Sequence, residues 1–252
     1  MQEKQSAILL FSQSAEADFA QKAFGLSFQR FSKVHKALVN KVINTAQASG
    51  LPVFEATSEI QRGTDFGSRL FHAIHWVSEQ GFDQIIIIGN DSPGLTAAQI
   101  QEAAKCLNGG QSVLGKDQHG GAYLIGLNID KTDLEAFKNI QWQTSKVFSQ
   151  LTSLLPEVQV LVKIHTDLNG LGDLKSIVKG TEVINSFIAF LLLLVFGAVA
   201  YFRTACLFLK HTTANIQSHR GPPVLACFPH FFAARRCFLF TSNNIDHVKN
   251  IL

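Results

Sequence analysis

Four consecutive isoleucines at positions 85–88 are followed by Gly89-Asn90-Asp91-Ser92-Pro93-Gly94-Leu95-Thr96. A β-branched run without polar alternation fits a strand covered on both faces, the pattern of a parallel-type sheet. The strand stops at Gly89, and an acid, Asp91, stands at its carboxyl end, where open α/β sheets gather their ligands. A carboxylate in that place suits a metal or a ribose. It also suits a turn, or the cap of the helix that starts near Thr96.

The chain on either side keeps the same style. Its periodicity predicts strands over 7–13, 51–56, 84–89, 112–114, 122–127 and 158–164, and helices over 29–48, 64–79, 97–107, 133–137 and 145–154. Strands alternating with helices of this length imply an α/β domain whose mostly parallel sheet is covered on both faces. About 180 residues suffice to bury one core around such a sheet. Asp173 reads as the cap of a further helix.

The segment around Asp91 resembles the G-S-D-C-P-G-L-T signature of a bacterial family with a glycosyltransferase-A-like fold. That family is related to nucleotide-diphospho-sugar transferases, and its members are often named arsenosugar-biosynthesis glycosyltransferases. Asn90 and Ser92 replace the family's Ser and Cys, while Gly89, Asp91, Pro93, Gly94, Leu95 and Thr96 match. Upstream, Gln61-Arg62-Gly63-Thr64-Asp65-Phe66-Gly67-Ser68-Arg69 is similar to Q-x-G-x-D-L-G-x-R. Downstream, the stretch from Leu114 to Leu127 is similar to L-G-P-x-x-D-G-G-Y-Y-L-I-G-L, Ile140-Gln141-Trp142 to I-x-W, and Asp167 to Leu174 to D-V-D-T-x-x-D-L. The blocks keep the family's order and span roughly residues 5 to 180.

The resemblance implies a three-layer glycosyltransferase-A fold and a metal-dependent transferase. Its donor would be a nucleoside-diphosphate sugar or a nucleotide, its acceptor is not specified, and no nucleic-acid partner is implied. A divalent metal, Mg or Mn, neutralises the diphosphate and the leaving group in such chemistry. Asp91 and Asp167 are the expected catalytic acids and metal ligands, with Asn169 and His119 beside them. The donor is expected along Gly89, Asn90, Ser92 and Pro93, the pair Gly120 and Gly121, Tyr123, and Gln61, Asp65, Arg69 and Lys22.

Two departures from the family pattern bear on activity. Members carry K-P-x-x-G-x-x-K-T-R-L after the first strand, a run whose cations suit phosphates. Residues 12–24 keep only Lys22 as a cation and add Glu16 and Asp18, an electrostatically poor phosphate loop. His119 stands where the family has the acid of D-G-G-Y, which exchanges a hard oxygen for a nitrogen better suited to Zn or Mn than to Mg. A non-catalytic relative that keeps the fold as a membrane-associated binding or scaffold module is therefore the alternative.

Other chemistries lack their motifs. The chain has no G-x-S-x-G, P-loop or paired C-x-x-C. His72 and His75 share a predicted helix but read as a partly exposed face, and Phe71 and Trp76 as core. Cys106 alone falls in the main domain, as expected of a reduced cytoplasmic protein. From Val183 to Phe202 about 20 residues carry no charge, long enough to cross a bilayer. The expected organisation is a cytoplasmic domain over 1–180, a transmembrane helix over 181–204 anchoring it to the inner membrane, and a basic, Phe-rich tail over 205–252 of unknown role.

Overall fold

The computed structural model describes residues 5–22, 24–58 and 60–180, together with 187, 188, 190–192, 194 and 195. Contacts divide the chain into a unit of residues 1–195 and a second of 196–252, which lies outside the described residues.

The first unit is built on one six-stranded sheet. Its strands are β1 (Ser6–Phe11), β2 (Val53–Ala56), β3 (Gln84–Ile88), β4 (Ser112–Lys116), β5 (Ala122–Asn128) and β6 (Val158–Val160), in the order β2-β1-β3-β5-β4-β6. The β1 strand pairs parallel with β2 and β3, and β6 pairs parallel with β4; β5 runs antiparallel to both its neighbours. The sheet is thus mixed and mostly parallel. Successive side chains of a strand point to opposite faces, and the core divides accordingly. Ala7, Leu9, Phe11, Ile85 and Ile87 face one layer, while Ile8, Leu10, Ile86 and Ile88 face the other. All four isoleucines of β3 are buried, as their lack of alternation requires.

The first layer holds α3 (Phe66–Ser78), α5 (Leu134–Lys138) and α6 (Val147–Leu154). The second holds α2 (Phe28–Gln47) and α4 (Ala97–Asn108). Local chemistry sets where these helices begin. The Asp65 carboxylate accepts from the Ser68 amide at 2.8 Å to start α3. At α4, Thr96 and Gln99 form a reciprocal capping box. The connection from β1 leads to β2 on one side, and that from β2 returns to β3 on the other. This change of direction opens a crevice above the carboxyl ends of β1 and β3, where open α/β sheets place their ligands.

Three elements depart from the sequence pattern. Residues expected to form a loop after β1 make a short helix, α1 (Ala15–Gln21), started by Ser14 and too brief to show an apolar period. The last strand ends at Val160, not at 164, because the chain bends at Val162 and leaves the ladder with β4. It nevertheless stays beside β4 through the Leu161 amide, which donates to the Leu114 carbonyl, and an isolated bridge from His165 to Asp117. The final helix, α7 (Leu171–Gly180), carries Asp173 in its first turn, where the carboxylate accepts from the Asn169 amide at 2.9 Å. Cys106 is half-buried.

Most of the segment read as a membrane span, 181–204, and all of the tail, 205–252, lie outside the described residues. Those described between 187 and 195 are helical; Ile188, Leu191, Leu192 and Val195 are buried and Phe190 is exposed. Such spacing is the apolar stripe of a helix packed on one side. Among the described residues no helix is long and apolar enough to cross a membrane.

Candidate functional site

A cleft of about 490 Å³ occupies the crevice above β1 and β3. The end of β1 supplies Phe11 and Gln13, and α1 with its C-cap supplies Asp18, Gln21 and Lys22. The end of β3 supplies Gly89, Asn90 and Asp91. The turn between β4 and β5 brings Asp117, His119 and Gly121, and the loop after β6 brings Asp167 and Asn169. Phe66, Leu70 and Trp142 form an apolar side. The sequence-level candidates Asp91, Asp167, Asn169, His119, Gly89, Asn90, Gly121, Tyr123 and Lys22 therefore converge on one cavity from four separate segments.

Charge concentrates on the polar side. The ammonium of Lys22 lies 3.3 Å from Asp91 Oδ2 and 3.5 Å from Asp18 Oδ2, with both Lys22 and Asp18 nearly withdrawn from solvent. Burial alone would lower the Lys22 pKa, but the Asp91 and Asp18 carboxylates outweigh it and hold the group above its ordinary value. Behind them, the Asn90 carboxamide lies 3.4 Å from Asp18 and 3.3 Å from His35, whose Nε2 sits 3.1 Å from the Gln13 carbonyl. The cation left in this segment is thus directed into the cleft, and Asp18 serves to hold it there.

Asp167 is the most perturbed acid. Its burial, then the charges of Asp91 and Asp117, push its pKa well above the ordinary carboxylate range, while the Ser92 hydroxyl, donating to Oδ1, pulls the other way. The Leu168 amide donates to the Asp91 carbonyl at 2.7 Å and ties the two acid-bearing loops together.

Asp117 is a site residue that the sequence reading passed over. It is buried, its side chain meets that of Asp167, and its Oδ1 accepts from the His119 amide. It lies two residues before the position at which the resembled family carries its acid, so a carboxylate returns to the cleft although His119 has replaced that one. Gly121 accommodates it, because a Cβ there would overlap the Asp117 carboxylate. His119 instead turns its Nε2 to Asp173, 3.1 Å away.

Other candidates brace the walls. Ser92 sits behind Asp167, and Pro93 continues that turn outside the cleft lining. Gly120 has φ +89°, and a Cβ on it would run into the Ser145 carbonyl, so its glycine serves the turn. Gln61 donates to the Ser12 and Ala56 carbonyls at 2.8 Å each and joins β1 to β2. Asp65 is the α3 cap, and neither it, Gln61 nor Arg69 lines the cleft. The Tyr123 hydroxyl donates to the Lys163 carbonyl and accepts from Gln99, and burial first, then Glu102 and Asp167, push its pKa up to about 12. Its ring meets His165 edge to face at 4.2 Å, and the same Gln99 amide reaches His165 Nε2 at 2.9 Å. Burial and Lys163 lower the His165 pKa to about 4, so the ring is neutral and accepts that bond.

Asp91, Asp167 and Asn169 offer an all-oxygen donor set on two tied loops. Among the described residues no three His, Cys, Asp or Glu side chains form a ready cage for a metal. Mg²⁺ is usually bound through one or two carboxylates plus waters and substrate phosphates. The crowding of buried negative charge at Asp167 is what a cation at this position would relieve, and the residues present fit such an ion.

Residues 37–144 match the sequence profile of a bacterial family, DUF2064, described as "Uncharacterized protein conserved in bacteria". The family resemblance read along the chain is thereby upheld. Among solved structures, a protein of Desulfovibrio desulfuricans G20, provisionally described as a nucleotide-diphospho-sugar transferase, superposes with a TM-score of 0.64 at 17% identity, over 82% of this chain and 98% of that one. The fold is therefore that of nucleotide-diphospho-sugar transferase structures. The Rv0371c protein of Mycobacterium tuberculosis H37Rv matches at a TM-score of 0.44 and 13% identity, over 70% of this chain and 100% of its own. Its complex with manganese matches at 0.43 and 11%, over 71% and 100%. No curated protein matches the sequence.

Proposed function

We propose that the protein is a metal-dependent transferase that binds a nucleoside-diphosphate sugar or nucleotide in the cleft above β1 and β3 and passes a glycosyl or nucleotidyl group to an acceptor. The observation that carries this reading is the Asp91–Asp167 pair, two acids on tied loops at the carboxyl edge of the sheet, with Lys22 alongside. A structural role alone gives no reason to crowd these acids, since buried like charges cost stability unless paired.

Asp91 and Asp167, with the Asn169 carboxamide, would hold Mg²⁺ or Mn²⁺, whose charge offsets that developing on the leaving phosphate. Ser92 fixes the orientation of the Asp167 carboxyl. The Lys22 ammonium, within reach of Asp91, supplies a point charge to a phosphate oxygen as the donor enters. Asp117 meets Asp167 from the opposite loop and adds a further carboxylate to the polar side of the cleft.

One observation favours a second reading. Lys22 already gives Asp91 a counter-charge, so a protein retaining this fold only to bind a nucleotide would need no cation. A thermal-shift screen of nucleoside triphosphates and nucleotide sugars, with and without Mn²⁺, separates the two. Donor stabilisation that requires Mn²⁺ supports the transferase; stabilisation indifferent to it supports the binding module; no stabilisation by any donor rejects both.

A further inference from the structure

The cleft has two unlike halves, and the proposed chemistry uses only the charged one. Facing it, Phe66 and Trp142 stand with ring centroids 5.2 Å apart at 39°, Phe66 packs edge to face on Phe11 at 5.3 Å, and all three rings line the cavity. Phe11 is buried, whereas Phe66 and Trp142 remain half-exposed. The indole cannot swing away, because its Nε1 donates to the Phe137 carbonyl at 3.2 Å and its edge rests on the Cα of Gly67, where a side chain would collide.

The segment that carries Trp142 is fixed at both ends. The Gln141 amide donates to Gln150 Oε1 at 2.7 Å, the Thr144 hydroxyl donates to the Gln141 carbonyl at 2.6 Å, and the Phe148 amide reaches back to Gly120 at 2.9 Å. Between these anchors Gln143, itself on the cleft, has φ +60°, a conformation that costs a non-glycine residue energy and persists where the surroundings impose it. Such strain clusters at ligand clamps. With its N–H already bonded, the indole has no hydrogen-bonding capacity left to offer the cavity and presents a rigid aromatic surface.

We infer that the Phe66–Trp142 surface is the subsite for the nucleobase of the donor, which stacks on the indole while the phosphates extend to Lys22 and the acids. This rests on the transferase reading, which supplies the nucleotide. Continuity of the two halves in one cavity of about 490 Å³, within the usual size of a small-ligand site, makes a single molecule with an aromatic ring and a phosphate chain the fitting occupant. Every base has a π face, so stacking here gives affinity more than choice among bases.

Trp142 and Trp76 are the two tryptophans of the chain, and Trp76 packs into the core against Phe54, so emission changes on binding report on Trp142. The test titrates the full chain with ATP, CTP, GTP, UTP and inorganic pyrophosphate in the presence of Mn²⁺, following tryptophan emission and heat together. The expected result is that triphosphates alter emission whereas pyrophosphate binds without doing so. In Trp142→Leu, nucleotide affinity falls roughly 5- to 150-fold, the range for loss of one base–aromatic stack, while pyrophosphate affinity is unchanged. Should Trp142→Leu not fold, Trp142→Phe keeps a ring, and a smaller loss of nucleotide affinity with pyrophosphate again unaffected carries the same conclusion. Nucleotides that bind with unchanged emission, and equally well to the variant, overturn the subsite and leave the transferase reading standing. Binding of pyrophosphate without any nucleotide, or binding of neither, overturns the subsite and the transferase reading together.

Discussion

Replacing Asp167 by Asn should make the metal-free protein more stable. The buried acid meets the charges of Asp91 and Asp117, which with burial raise its pKa well above the usual range. At neutral pH the unfolded chain carries Asp167 as a carboxylate, so folding must either take up a proton or bury the charge, and either costs free energy. Asparagine avoids that cost and mimics the protonated acid: its carbonyl oxygen can accept from Ser92 and its NH₂ can donate to Asp117. Relief of a buried polar penalty is worth about 1–3 kcal/mol, and for a domain of 150–250 residues each kcal/mol moves Tm by roughly 2–4 °C. The sign of the pH dependence follows from the raised folded pKa. The wild type's native state binds the extra proton, so its stability is intact below the unfolded value near 4 and is lost as pH rises toward the folded pKa. The advantage of Asp167→Asn should accordingly be present at pH 7 and vanish by about pH 3.5. Calorimetric scans of both proteins in chelator at the two pH values are the assay. A variant less stable than the wild type at pH 7, or an advantage equal at both pH values, would refute the reasoning.

Three further outcomes follow from the same packing. His165, buried and neutral with a pKa of about 4, should destabilise the native state as pH falls from 6.5 to 4, since the unfolded chain takes up a proton that the folded chain refuses; the total is at most about 3 kcal/mol, and His165→Gln should flatten that part of the pH–stability curve in urea titrations. Gly120→Ala should lower stability by roughly 1–3 kcal/mol or more, because its φ of +89° is strained for alanine and the Cβ meets the Ser145 carbonyl; an unchanged Tm would show that the turn can rearrange. Gly121→Ala should shift the Asp117 carboxylate and weaken Mn²⁺-dependent donor binding more than it lowers Tm, a split that paired calorimetry and thermal unfolding would measure.

The parts of the fold legible in the sequence are those set by local rules. The isoleucines of β3 declared a strand covered on both faces, and the apolar period placed the start of α4 just after Thr96. Asp91 was legible as a candidate because it follows a buried strand at the carboxyl edge of the sheet, and it does line the cleft. What was not legible depends on contacts distant in sequence. The α1 helix is too short for a period and is held by the interactions of Lys22 and Asp18 with residues reached only in the fold. Asp117 carries no signal of its own in the sequence, because only the fold brings the β4–β5 turn against Asp167, some fifty residues on. His119 stood in the acid's place in the motif, yet its imidazole faces Asp173, a partner the motif does not reveal. The glycines carried a mixed message: Gly121 makes room for a cleft carboxylate, whereas Gly120 beside it serves the turn.

The central claim, that Asp91 anchors a cation-dependent nucleotide site, is tested most directly by calorimetric titration of wild type and Asp91→Ala with a nucleoside triphosphate in the presence and absence of Mn²⁺. Asp91 is held by Lys22 at the strand end and contributes little to the core, so the variant should fold as the wild type does. The account predicts Mn²⁺-dependent binding to the wild type that is lost in Asp91→Ala without loss of cooperative unfolding. Equal affinity in the two proteins, or wild-type binding that is indifferent to Mn²⁺, would contradict it.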